Sequence, residues 1–458
     1  MNLPLRKLFF LLIAIVTFVS CSDEQIDNEL QPITPITTDV TTQVILDWNQ
    51  LWCELDRHAT GMRPNATTRA LAYIHLAAFE VCVTDMVGYS SNKDRYAELI
   101  IDFTQRQPDV NVAIALNSCY ATVMDHFMIN VRPDIDSKIE ILRQEKEDEL
   151  ISGISNEVVL NSQEWGNYVA AQVIAYSQTD IEAETQILSP QPTSYEPPVG
   201  EGYWTYSHEA ERGLFPYWSS VRTFVISSNE TSTIAPPLLY SEDSSSNYYA
   251  AMEEVYTSSE TARLTENDDL WVAEFWSNDV EGLMMSPPGR QISIANQLIK
   301  QYDVTHQNAL VLLLKLGFSL NDAAVSTWAD KYQYMVMRPS VYIQEFIDPN
   351  FQTNLYPYIS WPNPTFPSYP SGHSSFASAA AGIFIHHFGD ATDFTDRSHE
   401  GRTEFRGTPR TYSTFSEMAE ENAFSRLPLG VHMRMDCTEG LRLGYEISDA
   451  VNNFDLSQ

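Results

Sequence analysis

The sequence predicts an all-α fold, one large single domain of packed helix bundles. Three observations predict it. Apolar residues recur at intervals of three and four along most of the 458 residues. No run alternates apolar and polar residues as a half-buried strand would. The periodic stretches follow one another closely except for one irregular excursion, about 180–240, rich in proline, glycine, serine and aromatic residues.

The first residues read as a processing signal rather than as part of the fold. Arg6-Lys7 precede an almost wholly apolar run, Leu8 to Val19, which is short for a membrane span and suits a secretory signal peptide. The run ends Val19-Ser20-Cys21, followed by Ser22-Asp23-Glu24-Gln25, and this junction resembles a bacterial lipoprotein signal. The resemblance implies that residues 1–21 are processed, with Cys21 lipidated as the mature N-terminus, so that the protein is exported and meets a bacterial membrane only through a lipid anchor. An ordinary signal peptide cut elsewhere is the alternative. Residues 22–40, polar and carrying Pro32 and Pro35, read as a flexible tether.

The helical domain is expected over 41–458. Thr41 or Thr42 can cap a first helix carrying Val44, Ile45, Trp48, Leu51, Trp52 and Leu55. Asn65-Ala66-Thr67-Thr68 starts the second, through Leu71, Ile74, Ala78 and Val81. Helical patterns then cover about 109–130, 136–152 and 156–177, and after the excursion 244–258, 265–278, 289–302, 305–338, 373–388, 414–424 and 431–452. No repeat of fixed period is present, and beyond the signal no stretch reads as a membrane span, the apolar run Leu310 to Leu314 soon meeting Lys315. Four further cysteines, Cys53, Cys82, Cys119 and Cys437, lie in helical patterns; an exported chain can pair them in three ways or bury them as thiols.

With 61 acidic against 27 basic side chains and a formal net charge of -34, the bulk surface is unsuited to nucleic acid or anionic lipid. An anion site must be a local cluster of cations. Three segments supply the residues for one. In the first, Lys331 and Arg338 stand seven apart in a helical pattern, on one face about 10 Å apart, with Trp328 on the same face. In the second, Tyr369-Pro370-Ser371-Gly372-His373 turns into an alanine-rich helix whose N-terminus presents free N–H groups to an anion, Gly372 allowing close approach. In the third, Pro428 and Gly430 keep Arg426 in a loop and His432 opens a helix with Asp436 one turn on, able to fix the imidazole. Each segment alone is also compatible with ordinary capping or an i,i+4 pair.

Together they form a signature. Lys331-x6-Arg338-Pro339, Pro370-Ser371-Gly372-His373 and Ser425-Arg426-x5-His432-x3-Asp436 resemble the vanadium-dependent haloperoxidase and type 2 phosphatidic acid phosphatase (acid phosphatase) superfamily. The resemblance is clear over about 270–458, within the motif-bearing part 265–458, and weaker over 41–90. It implies the helical fold of that family and an oxyanion site in which Lys331, Arg338, Arg426, Ser371 and the Gly372 N–H hold vanadate or phosphate. His432 would be the apical residue, the ligand of vanadium in a peroxidase or the nucleophile in a phosphatase, and His373 the acid–base. Phe275-Trp276-Ser277-Asn278-Asp279, followed by Ser286-Pro287-Pro288, resembles a peroxidase segment in which the acidic residue, here Asp279, supports the third motif's arginine. Trp328 and Phe366 stand where aromatics line the halide pocket of the chloroperoxidase type; core packing is the other role open to them.

The resemblance therefore implies vanadate as cofactor, with hydrogen peroxide and halide as substrates and hypohalous acid as product. The alternatives are a phosphatase acting on a small phosphate ester in the same pocket, and a non-catalytic anion-binding lipoprotein. Other classes lack their residues: His399-Glu400-Gly401-Arg402-Thr403 has no second histidine for a zinc helix, and there is no Gly-x-Ser-x-Gly elbow, Walker loop, or haem or flavin fingerprint. Halide preference and oligomeric state are not written in the sequence.

Overall fold

The computed structural model describes residues 39–264, 268–355 and 363–457, and helices follow one another along nearly all of them. The expected signal peptide, Cys21 and most of the tether lie outside the described residues. The first bundle comprises α1 (Val40–Arg57), α2 (Asn65–Cys82), α3 (Val112–Phe127), the single turn α4 (Pro133–Asp136), α5 (Lys138–Leu150) and α6 (Asn156–Gln178). Then come α7 (Ile181–Leu188), α8 (Asn247–Leu264), α9 (Asp269–Phe275), α10 (Pro287–Gln301), α11 (His306–Tyr334) and α12 (Pro339–Phe346). The chain closes with α13 (Gly372–Phe388), α14 (Phe415–Phe424), the short α15 (Arg426–Leu429) and α16 (Arg434–Asn452). Side chains at the N-caps fix many of the starts: Asn111, Ser155, Asp180, Ser286, Thr305, Ser371 and Thr414 each accept a backbone N–H of the first turn.

The all-α expectation holds, and four local readings are corrected. Helix α1 begins at Val40 with Asp39 at its N-cap, inside the span read as tether. The 180–240 excursion contains α7, which Asp180 caps. Between α13 and α14 lie two three-residue strands, β1 (Phe394–Asp396) and β2 (Arg410–Tyr412), paired antiparallel with Phe394 opposite Tyr412. Helix α11 ends at Tyr334, where Met335 takes a left-handed conformation (φ 52°). Arg338 is therefore not on the face of Lys331's helix; it is extended and N-caps α12, because Pro339 disfavours a helical residue before it.

Helix α11 is the axis of the molecule, packed on α2 at one side and on α13 and α16 at the other. It passes the length and composition test for a membrane span, contrary to the sequence expectation, yet nearly all of it is buried inside the fold, as the central helix of a core is. Helices α13 and α16 approach closely along a seam of small residues. A Cβ at Gly440 would lie 2.5 Å from the Ser371 carbonyl oxygen and 2.7 Å from the Ser374 Cβ. This closeness seats the N-terminus of α13 against the first turn of α16, where the Ser371 N–H donates to the Asp436 carbonyl at 2.9 Å. Cys53, Cys82, Cys119 and Cys437 are all buried free thiols.

Candidate active site

The turn of chain before α13, the N-terminus of α13 and the α15–α16 connection meet at one end of α11. Lys331, from the last turn of α11, is fully buried, and its ammonium donates to the carbonyls of Pro367 (3.0 Å), Ser368 (2.9 Å) and Pro370 (2.5 Å). It thus pins the approach to α13 as well as supplying charge. Burial and the neighbouring Arg338 push it toward deprotonation; Asp436 opposes them. Arg338 donates from Nε to the Phe366 carbonyl (2.9 Å) and from Nη1 to the Val431 carbonyl (3.1 Å), while its Nη2 is buried with no partner among the described residues. Burial lowers even this guanidinium, to about 10.

His432 lies just ahead of α16, whose N-cap is Met433, and not within the helix as the sequence suggested. Its Nδ1 is 3.0 Å from Asp436 Oδ2 and 3.3 Å from Ser368 Oγ; its Nε2 is 3.2 Å from Arg338 Nη1. Asp436 Oδ2 also accepts from Ser368 Oγ (2.5 Å) and the Met433 N–H (3.1 Å). Burial raises Asp436 to about 6, leaving it ionised at neutral pH, whereas burial followed by Arg338, Lys331 and Arg426 holds His432 well below its usual range. The ring is neutral with its proton on Nδ1, so Nε2 carries the lone pair.

Arg426 begins the short helix α15 rather than lying in a loop, since Gly430 in a left-handed conformation (φ 84°) ends one turn there. Its Nη2 donates to Asp279 Oδ2 (2.8 Å) and its Nη1 to the Ser277 carbonyl (3.3 Å); Nε is buried without a partner. Burial raises the Asp279 carboxyl, and Arg426 and then His373 more than offset this, leaving it below the usual carboxylate range. His373 Nε2 lies 2.7 Å from the Ser277 carbonyl and 4.0 Å from Asp279 Oδ2. Burial first, and the Arg426 charge second, depress it to about 3, so the ring is neutral with its proton on Nε2. Ser371 is the N-cap of α13, its Oγ accepting from the Ser374 N–H at 3.4 Å.

These groups surround a cavity of about 470 Å³. His373, His432, Arg426, Asp279 and Gly372 line it, together with Trp328 and Phe366, whose ring centroids are 4.9 Å apart. Lys331 and Arg338 lie behind Phe366, 5.1 Å and 5.0 Å from its ring centroid, and Ser371 and Asp436 are buried around them. The structure thus brings all the sequence-named residues from Asp279 to Asp436 into one cluster. It places Lys331, Arg338 and Ser371 behind the cavity surface instead of on it. The donor set suits a tetrahedral oxyanion such as vanadate: two buried guanidinium groups with unpaired N–H, a helix N-terminus, and an imidazole lone pair fixed by a carboxylate. Lys331 offers charge, and a hydrogen bond only by releasing one of its three carbonyls.

The fold is that of known crystal structures. A bacterial vanadium-dependent iodoperoxidase aligns over 92% of this chain and 99% of its own, with a TM-score of 0.79 and 23% identity. A bacterial vanadium-dependent chloroperoxidase, in its holo form, aligns over 86% of this chain and 92% of its own, with a TM-score of 0.65 and 16% identity. Residues 311–457 match the family model of the VCPO second helical-bundle domain. Residues 311–457 thus carry the second helical-bundle domain of that family, and the chain as a whole shares the fold of the two peroxidases. No curated protein matches its sequence. The sequence motifs did not reveal Ser277, whose carbonyl joins His373 to Arg426, or Ser368, which reinforces Asp436. Ser368 lies two residues before Pro370 and was within reach of a reading that extended the second motif; a backbone carbonyl leaves no mark on sequence.

Proposed function

We propose that this protein is a vanadate-dependent haloperoxidase that oxidises halide with hydrogen peroxide to hypohalous acid. One observation carries the reading. A single cavity joins an oxyanion cradle with unpaired guanidinium donors to an aromatic wall, Trp328 and Phe366. The likeness in fold to an iodoperoxidase and a chloroperoxidase supports it. His432 Nε2 would hold vanadate, with Lys331, Arg338, Arg426 and the Gly372 N–H on its oxygens. Bound there, vanadate supplies the Lewis acidity that activates hydrogen peroxide toward halide. Asp436 keeps the His432 proton on Nδ1, so that Nε2 stays a donor of electrons. His373, with Nε2 engaged by the Ser277 carbonyl, takes the proton of incoming peroxide at Nδ1. Trp328 and Phe366 keep bulk water from that face.

The test is purified protein with vanadate, hydrogen peroxide, a phenol dye and chloride, bromide or iodide in turn, beside a phosphate-ester assay without vanadate. Vanadate-dependent halogenation is expected. Ester hydrolysis with no halogenation would replace this reading by the phosphatase, and anion binding without either would leave a binding lipoprotein. We also propose export and lipid attachment at Cys21; Cys21→Ala should abolish incorporation of labelled fatty acid, and wild-type protein carrying an unmodified downstream N-terminus would refute it.

A further inference from the structure

Arg63 stands in the loop between α1 and α2, far in sequence from every motif residue. It is 6% exposed and lines the cavity. Among the described residues it forms no ion pair, although its charge reaches the carboxylates of Asp56 and Asp279; its one direct bond runs from Nη2 to the carbonyl of Asn278, at 2.7 Å. Its Nε and Nη1 are buried with no partner. Burying a guanidinium on these terms is costly, and joining two helices does not require it.

What it holds is the turn that serves the site. Asn278 is left-handed (φ 49°), an arrangement that costs about 1–2 kcal/mol for a residue with a side chain and persists only when surrounding contacts determine it. On one side of Asn278 the Ser277 carbonyl accepts from both His373 and Arg426; on the other Asp279 binds Arg426. The same loop and the last turn of α1 grip the rest of this segment. The Gly61 N–H donates to Glu281 Oε1 (3.1 Å), the Gly282 N–H to the Arg57 carbonyl (2.7 Å), and Ser286 donates from N and Oγ to Asp56 (2.7 and 2.6 Å).

We propose that Arg63 is a positioning residue for the reaction: from the first helical bundle it fixes the Ser277–Asp279 turn, and through it the His373 ring and the Arg426 guanidinium. The proposal rests on the functional reading above for its turnover measurement, and two of its measurements do not need that reading. The full-length Arg63→Met and Arg63→Lys proteins are compared with wild type in turnover, in inorganic phosphate affinity by calorimetry, and in the imidazole N–H signals of ¹⁵N-histidine-labelled protein, His373 being assigned with His373→Gln.

A misplacement of about 1 Å costs on the order of 100-fold, so Arg63→Met should lower kcat by about 10- to 100-fold with KM changed by less than about threefold. Phosphate affinity should stay within about threefold, because Asp279 still holds Arg426. The His373 N–H signal should move from its hydrogen-bonded position, and Arg63→Lys, which keeps one donor and the charge, should restore most of the kcat and the signal. Unchanged kcat and N–H signal would overturn the proposal. So would phosphate affinity falling in step with kcat, which would make Arg63 an anion ligand, or a Lys variant as impaired as Met. If Arg63→Met does not fold, Glu281→Ala removes an exposed bond of the same grip; a shift of the His373 signal in the same direction is expected, and none would overturn the proposal. Should wild type show no haloperoxidase turnover, the functional reading fails while phosphate affinity and the N–H signal still decide the role of Arg63.

Discussion

Arg426→Met separates what Arg426 does for an anion from what it does for the fold. Its guanidinium is fully buried, with Nη2 2.8 Å from Asp279 Oδ2, Nη1 3.3 Å from the Ser277 carbonyl, and Nε without a partner. A hydrogen bond to a charged group is worth about 1.5–3 kcal/mol. Losing one such bond to vanadate or phosphate should weaken binding by roughly 10- to 150-fold. The substitution also strands Asp279. Breaking a buried ion pair costs about 3–5 kcal/mol, and because the Asp279 side chain is 15% exposed the lower end, about 3 kcal/mol, is expected.

The sign with pH follows. The Asp279 carboxyl is held below the usual carboxylate range, so its stabilising share is present at neutral pH and lost only as pH falls through that low value. Without Arg426, burial dominates and the sign reverses: the ionised carboxylate destabilises the fold at neutral pH, and the penalty is relieved as pH falls and the group takes a proton. The double variant Arg426→Met/Asp279→Asn removes the stranded charge, so it should regain most of the stability and none of the affinity. Titration calorimetry with vanadate and phosphate, beside urea melts, reads both quantities. Wild-type affinity in Arg426→Met would remove the residue from the cradle. Affinity that returned in the double variant would reduce Arg426 to a structural role.

Three other outcomes are expected. His373→Ala should lose about 10²–10⁴-fold in turnover while keeping vanadate affinity within about tenfold, since the cradle's charges are untouched; calorimetry and turnover on one preparation compare the two. Gly440→Ala would press a Cβ onto the Ser371 carbonyl and Ser374, so it should cost about 1–3 kcal/mol in urea melts and shift the N-terminus of α13, weakening phosphate binding; wild-type binding would show the seam to be compliant. His75, 1% exposed with neither ring nitrogen partnered, is depressed by burial to about 3, so its stabilising share is present above its ordinary value near 6.5 and is lost as pH falls toward 3. His75→Phe should therefore narrow the stability gap between pH 7 and pH 4 by about 3 kcal/mol, and melts at the two pH values that showed an unchanged gap would contradict the burial of a neutral ring.

The helices were legible because their determinants are local. The α2 start at Asn65 follows the turn at Pro64, and the α13 start at Gly372 follows the Ser371 cap; with an apolar period, these act over a few residues. The end of α11 was misread because Lys331 to Arg338 keeps a helical spacing that a left-handed Met335 interrupts, and no glycine marks the break. That error mattered little for the site. Arg338 reaches His432 from the N-cap of α12, so the motif spacing carried the right residues through the wrong geometry. His373 is neutral chiefly through burial, with the Arg426 charge second. Burial is a property of the assembled fold, as are the Ser277 carbonyl and the grip of Arg63.

Two carboxylates organise the cluster, one for each histidine, and they come from different parts of the chain. Asp436 lies within the matched segment 311–457, four residues after His432, where a helical turn brings it to the ring. Asp279 lies outside that segment and can reach Arg426 and His373 only through tertiary packing of the 277–286 loop. One half of the site is thus written in local sequence and the other is set by the first bundle. This division also accommodates a formal net charge of -34. Charges beyond a Debye length of about 8 Å are screened at physiological ionic strength, whereas buried cations are screened much less. An anion that enters the cavity therefore meets Arg426 at the wall, with the charges of Arg338 and Lys331 buried behind Phe366, and its affinity is set by how rigidly those side chains are held.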